Sequence, residues 1–572
     1  MTLTRTPRRV VSHVVERLDR ASGRRLDLLA LGVIVVVFLL PLHGLFQASG
    51  PPMEEGFMLT FPERVLEGDI PNKDFLHLYG PGSLWVLAGV YKIFGVTLFT
   101  ERVFGLIQEM TVVFGIFFIA RRWGRTAGLG CALISLFFVI TPHGLTAFAW
   151  VGGVALGLFT LVALARSREN THLDGIRKFA LIGGMLAGFT LLYRHDLVLA
   201  LALSCGALLW GTTGPVVKRF ALGLGLGLSP YLVHLVTAGP GNVIEGMLIE
   251  PIVDLRGGRS LPIPPPWHTP DAVAYITEYV RIPWPLPRLD AQPQVSLWFF
   301  LLLGSVAFVV ITGIWAVRRD RSATRPRVLL GAALFSVGLM PQALQRADTT
   351  HLAWVGTVAM ALVPIALIEI LRARRPRWTM RGTALASCFA VVATWGLLIP
   401  NYSLLAYADY SVQLFGIHEQ YAGNEIRNGD RVFYTGRADD AAAAQAVVDD
   451  VKRLARPGDT LLVGTKDLRK TVLSEAFFYY LLPELDPSTY YIEMDPGVAN
   501  AEDSGLAHEV RNSDFLILST AWSFFSEPNA SRDVGSPKPN RVVRDEFCLY
   551  RDYELHAGLK YFVYTKCDNP PD

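Results

Sequence analysis

The sequence predicts a polytopic α-helical membrane bundle followed by a C-terminal extracytoplasmic α/β domain. Of its 572 residues, 51% are apolar and 18% charged, and the mean hydropathy is +0.34. Apolar runs long enough to cross roughly 30 Å of hydrocarbon recur from Leu26 to about Pro400. The later sequence is polar and alternates strand-like and helix-like stretches. We therefore divide the chain into a basic N-terminus (1–25), a membrane domain (26–400) and an α/β domain (401–572).

The apolar runs predict about 11 spans, each bounded by polar or helix-breaking residues. The spans are residues 26–46, 103–120, 127–142, 147–165, 179–193, 196–210, 220–238, 295–317, 327–344, 351–371 and 383–400.

The distribution of basic residues predicts the orientation of these spans. Most Lys and Arg residues of the membrane domain fall on the side of the N-terminus, which the positive-inside rule assigns to the cytoplasm. The protein is thus predicted to be a multi-pass protein of the plasma (inner) membrane, with its C-terminal domain outside. Residues 82–95 are shorter than the roughly 17 residues of a span, so we interpret them as a juxtamembrane helix. A short tilted span is the alternative. The net charge of +3 is small for this length, and no nucleic-acid partner is predicted.

The first outward loop, residues 47–81, carries two adjacent acids, Glu54 and Glu55. Carboxylates at the edge of a bilayer are costly and often belong to a functional site. Asp74 follows in the same loop, near the cations Lys73 and His77. The alternative for the acid pair is a solvated helix start stabilised by the helix dipole.

Two further outward turns combine an arginine with histidine and aspartate. Arg194 and His195 belong to the turn YRHD, and Arg346, Asp348 and His351 belong to the turn QRADTTH. Taken singly, an arginine in such a turn can snorkel to the headgroups, and an aspartate can cap the next helix. Because the same chemistry recurs in three outward turns, we predict a shared anionic ligand.

The long outward segment 239–294 is rich in proline and contains Arg259, Arg281, Trp267 and Trp284. Its length and its interfacial tryptophans favour a semi-rigid lid over the substrate. An ordinary connector is the alternative.

These motifs, in this order, resemble the GT-C superfamily of membrane glycosyltransferases. The resemblance consists of the acid pair after the first span, GDIPNKDF, YGPG with Tyr79, TERVFG, and the two turns with arginine and aspartate. It implies a polyprenyl-phosphate-linked sugar as donor and a reaction on the outer side of the membrane. The family's first acid is usually Asp where this chain has Glu54, which leaves open whether Glu54 or Glu55 is the base.

The residues themselves fit this chemistry. A carboxylate must take the proton of the acceptor hydroxyl, and cations must stabilise the departing phosphate. We expect Glu54 as the base, Glu55 as the second choice, Asp74 as a residue that orients the acceptor, and a single displacement that inverts the anomeric centre. The predicted ligands of the substrates are Arg194, Arg346, His351, His195, Lys73, His77, Asp348 and Tyr79.

The sequence leaves several points open. The acceptor can be a cell-envelope glycan, a glycolipid or a protein. No zinc-type ligand spacing occurs, and a metal-free site is expected, although Glu54, Glu55 and Asp74 could together hold a divalent cation. A flippase or transporter for lipid-linked sugars, or a non-catalytic envelope-assembly protein, is the alternative to an enzyme.

The C-terminal domain is predicted from alternating helical and buried-strand patterns. Predicted strands are TLLVG, TYYIEM, DFLILST, EFCLYRDY and KYFVYTKC, and predicted helices are DDVKRLARPGD and SEAFFYYLL. Cys548 and Cys567 lie in this domain, where oxidation would permit a disulfide. Two free thiols are the alternative.

Overall fold

The structure, a computed structural model, describes residues 25–140, 144–268, 291–398, 402–417 and 422–567. Most of the predicted basic N-terminus and the stretch 269–290, with Arg281 and Trp284, lie outside the described residues.

The predicted membrane region is mainly helical in the residues that the structure describes. It begins with a helix over residues 25–39. The helices that follow are Leu42–Phe46, Glu54–Glu67, Gly82–Phe94, Leu98–Ala120, Arg125–Val139, Ala149–Glu169, Leu173–Tyr193, Val198–Leu209, Gly214–Leu228, Pro230–Ala238, Pro240–Ile244, the π-helix Glu245–Asp254, Leu255–Arg259, Ala291–Arg319, Thr324–Gln345, Thr349–Ala359, Val363–Arg374, Met380–Leu398 and Tyr402–Val412.

Seven of the helical stretches in the described residues are long and apolar enough to cross a membrane. Three shorter apolar helices accompany them, at Gly82–Phe94, Arg125–Val139 and His195–Leu209. Each of the predicted spans coincides with a helix, so the helical membrane bundle is confirmed. The number of crossings and the orientation remain predictions.

Small residues let neighbouring helices of the bundle approach closely. The clearest pair is Leu173–Tyr193 against Gly214–Leu228. A Cβ atom added at Gly184 or at Gly223 would lie 2.1 Å from a carbonyl oxygen of the facing helix. Glycine is therefore required at this contact, as in other helix pairs packed through small residues.

The helix Glu54–Glu67 lies inside the molecule. The sequence pattern FMLTFPERVL suggested a helix on the membrane surface, but most of these side chains are buried. A Cβ atom at Gly56 would lie 2.4 Å from the backbone nitrogen of Phe477, in the C-terminal domain. The apolar side of this helix therefore packs against the C-terminal domain, which the local pattern could not reveal.

The C-terminal domain contains a five-stranded sheet and a separate hairpin. The hairpin pairs β1 (Asn424–Asn428) with β2 (Arg431–Thr435), and the sheet has the order β4-β3-β5-β7-β6. Its strands are β3 (Thr460–Thr465), β4 (Asp486–Pro487), β5 (Phe515–Ser519), β6 (Phe547–Glu554) and β7 (Lys560–Lys566). β4, β3 and β5 run parallel, whereas β7 is antiparallel to both β5 and β6. The helices of the domain are Ala438–Leu454, Phe477–Leu481, Leu506–Asn512 and Lys538–Glu546.

The predicted α/β character of this domain is confirmed, with one error among the strands. The segment TYYIEM, residues 489–494, is irregular. Its last residue, Met494, has φ 53°, a left-handed conformation that ends an extended strand. The disulfide between Cys548 and Cys567 is present and joins β6 to the end of β7. The hairpin β1–β2 was not predicted.

The C-terminal domain contacts loops of the bundle through polar groups. Arg431 of β2 pairs with Glu63, and the backbone nitrogen of Leu76 donates to the carbonyl of Tyr490 over 2.8 Å. The side chain of Asn529 donates to the carbonyl of Ser260 over 2.9 Å. These contacts close a space between the bundle and the domain.

Candidate active site

A cavity of about 860 Å³ lies between polar turns of the bundle and the C-terminal domain. The first loop, both arginine turns, the segment before Arg259 and the loops of the C-terminal domain all contribute to its wall. Its charged lining residues are Glu54, Arg194, Asp196, Arg259, Arg346, Asp348, Glu493, Asp495 and Glu527.

Eight of the predicted site residues line this cavity. They are Glu54, His77, Tyr79, Arg194, His195, Arg346, Asp348 and His351. The structure thus brings residues from the first loop and from both arginine turns into one cavity, and their roles remain predictions. Glu55, Lys73 and Asp74 are not part of the lining.

Glu54 and Glu55 have different environments although they are adjacent. Glu54 is the first residue of the helix Glu54–Glu67, and it lines the cavity. No hydrogen bond to its carboxylate is present among the residues that the structure describes. Glu55 is 1% exposed, and its two oxygens accept hydrogen bonds of 2.7 and 2.8 Å from Arg102. Of the two acids, only Glu54 is therefore available to a bound molecule.

The ion pair of Glu55 and Arg102 shapes the end of the first helical segment. Arg102 also donates to the backbone carbonyls of Leu45, Phe46 and Ala48. The guanidinium of Arg102 thereby holds the chain just before Glu54. Neither Glu55 nor Arg102 lines the cavity. Its role is structural, because a buried pair with this many hydrogen bonds is fully satisfied.

Asp74 and Lys73 lie in the first loop, outside the cavity lining. Asp74 accepts a hydrogen bond of 2.8 Å from the backbone nitrogen of Ile70, which stabilises the turn. Lys73 is exposed. The three carboxylates considered for a divalent cation, Glu54, Glu55 and Asp74, thus do not share one site. Among the described residues, no group of three or more His, Cys, Asp or Glu side chains is arranged to hold a metal ion.

Arg194 directly follows the helix Leu173–Tyr193 and is 4% exposed. Its Nε and Nη2 atoms donate to the two oxygens of Asp196 over 2.9 and 2.6 Å. Its guanidinium carbon lies 3.8 Å from the ring centre of Tyr79. Asp196 thus holds one edge of the guanidinium, and the other edge remains for a ligand in the cavity.

Arg346 occupies the equivalent position after the helix Thr324–Gln345. Its Nε donates to Asp348 over 2.8 Å, and its Nη1 donates to Glu527 over 2.9 Å and to the carbonyl of Arg259 over 2.8 Å. Nη2 is bound to Glu527 as well. Protein groups therefore occupy both edges of this guanidinium.

Asp348 is the N-cap of the helix Thr349–Ala359 and also contacts the side chains of Arg346 and His351. Its Oδ1 accepts from the backbone nitrogen of His351 over 2.9 Å and lies 2.8 Å from the Nδ1 of the same residue. Burial alone would raise the pKa of Asp348, but His351 and Arg346 lower it to about 2. His77, which is fully buried in the first loop, has its pKa lowered to about 3 by that burial and is therefore neutral.

Four site residues were missed by the sequence interpretation. Glu493, Asp495 and Glu527 come from the C-terminal domain, and Arg259 was assigned only to the proline-rich segment. Arg259 donates to Oδ1 of Asp495 over 3.0 and 2.6 Å. Burial, Asp495 and the nearby Glu54 raise the pKa of Glu493 well above its usual range. Two acids beside an apolar residue, in IEMDP, were the available signal.

Comparisons with known proteins identify the fold. No protein-family model matches the chain, and no curated protein matches it. The crystal structure of ArnT from Cupriavidus metallidurans bound to undecaprenyl phosphate is similar, with a TM-score of 0.50 and 14% identity. That match covers 95% of this chain and 99% of ArnT.

A second similar structure is the oligosaccharyltransferase of Archaeoglobus fulgidus tethered to an acceptor peptide. Its TM-score is 0.46 at 13% identity, over 95% of this chain and 75% of the other. The fold of this chain is thus similar to that of ArnT, a similarity that extends over nearly the whole of both chains.

Proposed function

We propose that this protein is a glycosyltransferase that moves a sugar from a polyprenyl-phosphate donor to an acceptor on the outer side of the membrane. The observation that carries the proposal is the convergence of an unpaired carboxylate, Glu54, and a guanidinium with a free edge, Arg194, in one cavity. The similarity to ArnT, solved with undecaprenyl phosphate, supports this type of donor.

In the proposed reaction, Glu54 takes the proton of the acceptor hydroxyl while the oxygen of that hydroxyl attacks the anomeric carbon of the donor sugar. The bond between that carbon and the phosphate oxygen breaks, and its electron pair remains on the phosphate. Arg194 stabilises the resulting charge through its free edge. A single displacement of this kind inverts the anomeric centre.

The reaction is proposed for the extracytoplasmic side of the plasma membrane, with the N-terminus in the cytoplasm. The positions of Glu54, Arg194 and Arg346 support this arrangement, because each lies at the end of a helix and all three line the same cavity. A transporter is expected to have polar groups near mid-bilayer depth and broken helices on both sides of its site.

The test is sugar transfer by the full chain reconstituted in liposomes with a panel of polyprenyl-phosphate sugars and envelope acceptors. We expect Glu54→Gln to lower the transfer rate by roughly 10²–10⁴-fold, since a general base is lost. Binding of undecaprenyl phosphate should stay within twofold. Glu67→Gln is the matched control, because Glu67 is an exposed acid on the same helix.

Two outcomes would count against the proposal. Equal transfer rates of the wild type and Glu54→Gln would show that Glu54 is not the base. Movement of the lipid-linked sugar across the membrane without transfer would favour the flippase.

A further inference from the structure

The two sides of the cavity differ in chemical character. Its lower side, from the bundle, contains Arg194 and Arg346, whereas its upper side comes from the C-terminal domain. We call this upper side the roof, which consists of Leu473, Glu493, Asp495, Trp522, Phe524, Phe525 and Glu527. Among the described lining residues, the roof contributes acids and aromatic rings but no lysine or arginine.

Two carboxylates of the roof have oxygens without a hydrogen-bond partner. Asp495 is 2% exposed. Arg259 binds only its Oδ1, and its buried Oδ2 has no partner in the described part of the chain. No hydrogen bond reaches the carboxyl of Glu493 from the described residues either. A buried acceptor without a partner destabilises the fold, and a hydrogen bond from a ligand's hydroxyl group would remove that cost.

The backbone between these two acids is strained in a way that keeps both at the cavity. Met494 has φ 53°, and its side chain is fully buried in the core of the C-terminal domain. A left-handed conformation is unfavourable for a residue other than glycine. Strain of this kind is concentrated at functional sites, and here it positions Glu493 and Asp495 side by side on the cavity wall.

The aromatic residues of the roof follow β5 and leave ring surface uncovered. Phe524 is 63% exposed although it lines the cavity. Trp522 is half-buried, and its ring packs edge-on against Phe525 at 6.3 Å. The indole nitrogen of Trp522 is buried and has no hydrogen-bond partner among the described residues, so a ligand could accept a hydrogen bond from it. Rings with free faces suit a flat, partly apolar ligand.

From these observations we infer that the roof is the acceptor subsite and that it takes an uncharged saccharide. The C–H face of a sugar ring would stack on Trp522 and Phe524, and its hydroxyl groups would donate to Asp495 and Glu493. A phosphorylated acceptor would bring an anion close to the unpartnered Oδ2 of Asp495, which can accept a hydrogen bond from a hydroxyl group but not from a phosphate dianion. This inference rests on the proposed function and narrows its acceptor to one chemical class.

The test measures binding of soluble saccharides to the full chain in lipid nanodiscs by saturation-transfer NMR. The probes are neutral gluco-, manno-, galacto- and arabino-oligosaccharides, each paired with a derivative that carries one phosphate. At least one neutral saccharide should bind, and its phosphorylated counterpart should bind at least 10-fold more weakly. Trp522→Ala and Phe524→Ala should each weaken binding of the neutral saccharide about 10-fold. Trp210→Ala, on a tryptophan that is 76% exposed and outside the cavity lining, is the control.

A second variant tests the charge argument separately. Glu493→Lys should reverse the preference, so that the phosphorylated saccharide binds more tightly than the neutral one. The inference is overturned if none of the neutral saccharides binds, if the phosphorylated forms bind as tightly in the wild type, or if both aromatic variants bind like the wild type. Binding of undecaprenyl phosphate is measured in parallel, and its absence from the wild type would contradict the proposed function instead.

Discussion

The two turns that contain Arg194 and Arg346 have the same local structure but different surroundings. Each arginine directly follows a long helix and precedes an aspartate by two residues. Their backbone angles nearly coincide, at φ −144° and ψ 94° for Arg194 and φ −146° and ψ 95° for Arg346. In both turns the Nε atom donates to the aspartate.

The difference lies in what covers the outer edge of each guanidinium. The rings of Tyr79 and Trp150 lie against the face of the Arg194 guanidinium, and its outer edge is free. Glu527 of the C-terminal domain binds the outer edge of Arg346. The same motif thus serves as a candidate phosphate ligand in one turn and as a joint between domains in the other. A local motif therefore does not define the role of its arginine, because the partner comes from elsewhere in the fold.

The largest expected effect is a loss of stability when the contact of Arg346 with the C-terminal domain is removed. Arg346→Ala leaves Glu527, which is fully buried, and Asp348 without their cation. Removing one partner of a buried ion pair typically costs about 3–5 kcal/mol. We expect a clearly lower thermal unfolding temperature of the protein in nanodiscs. Arg256→Ala, at an exposed arginine, is the control, and equal unfolding of wild type and Arg346→Ala would contradict the role as a joint.

The second largest effect is expected on lipid binding at Arg194, whose guanidinium has a free edge. Arg194→Ala should weaken the binding of undecaprenyl phosphate about 100-fold, equivalent to about 2.7 kcal/mol. Its effect on thermal unfolding should be smaller than that of Arg346→Ala, because Gln342 still donates to Asp196 over 2.7 Å. Binding is measured by titration of the lipid into nanodiscs. If Arg194→Ala binds the lipid like the wild type while Arg346→Ala does not, the two roles are reversed.

The sequence was sufficient to predict the elements of this comparison. Apolar runs and the positions of polar turns are local properties, so each predicted span coincides with a helix. Because the first loop and both turns were assigned to one side, their convergence could be expected. Eight of the predicted site residues line the cavity for this reason.

The surroundings of the turns could not be predicted in the same way. Glu527 is 181 residues from Arg346 in sequence, and Glu55 is 47 residues from Arg102. Such pairs depend on how the C-terminal domain and the helices dock. The segment TYYIEM was interpreted as a strand for a similar reason, because its apolar pattern does not indicate the left-handed conformation of Met494.

The aspartates of the two turns differ in burial, and pH sharpens this difference. Asp348 is buried with a pKa of about 2, below its value of 3.8 in an unfolded chain. A carboxyl with a lowered pKa stabilises the fold above pH 4, and that contribution is lost as the pH falls through 2. Its size is about 2 kcal/mol. Asp348→Asn should therefore lower the unfolding temperature at pH 6, and the difference should disappear near pH 2.

Asp196 provides the matched variant for this measurement. Its side chain is 32% exposed, so solvent screens its ion pair more strongly. Asp196→Asn should destabilise the protein less than Asp348→Asn at pH 6. Equal destabilisation by the two variants would show that the two turns are energetically alike.

The smallest expected effect on lipid binding comes from the ring of Tyr79, which packs against Arg194. The guanidinium of Arg194 lies over Tyr79, and no aromatic ring covers Arg346 in this way among the described residues. A cation–π contact contributes about 0.5–1 kcal/mol at partly exposed sites. Tyr79→Leu should thus weaken undecaprenyl phosphate binding about three- to fivefold, whereas Tyr79→Phe should stay within twofold because the ring is retained. If Tyr79→Phe binds as weakly as Tyr79→Leu, the hydroxyl rather than the ring orients Arg194, and the contrast between the turns rests on hydrogen bonding alone.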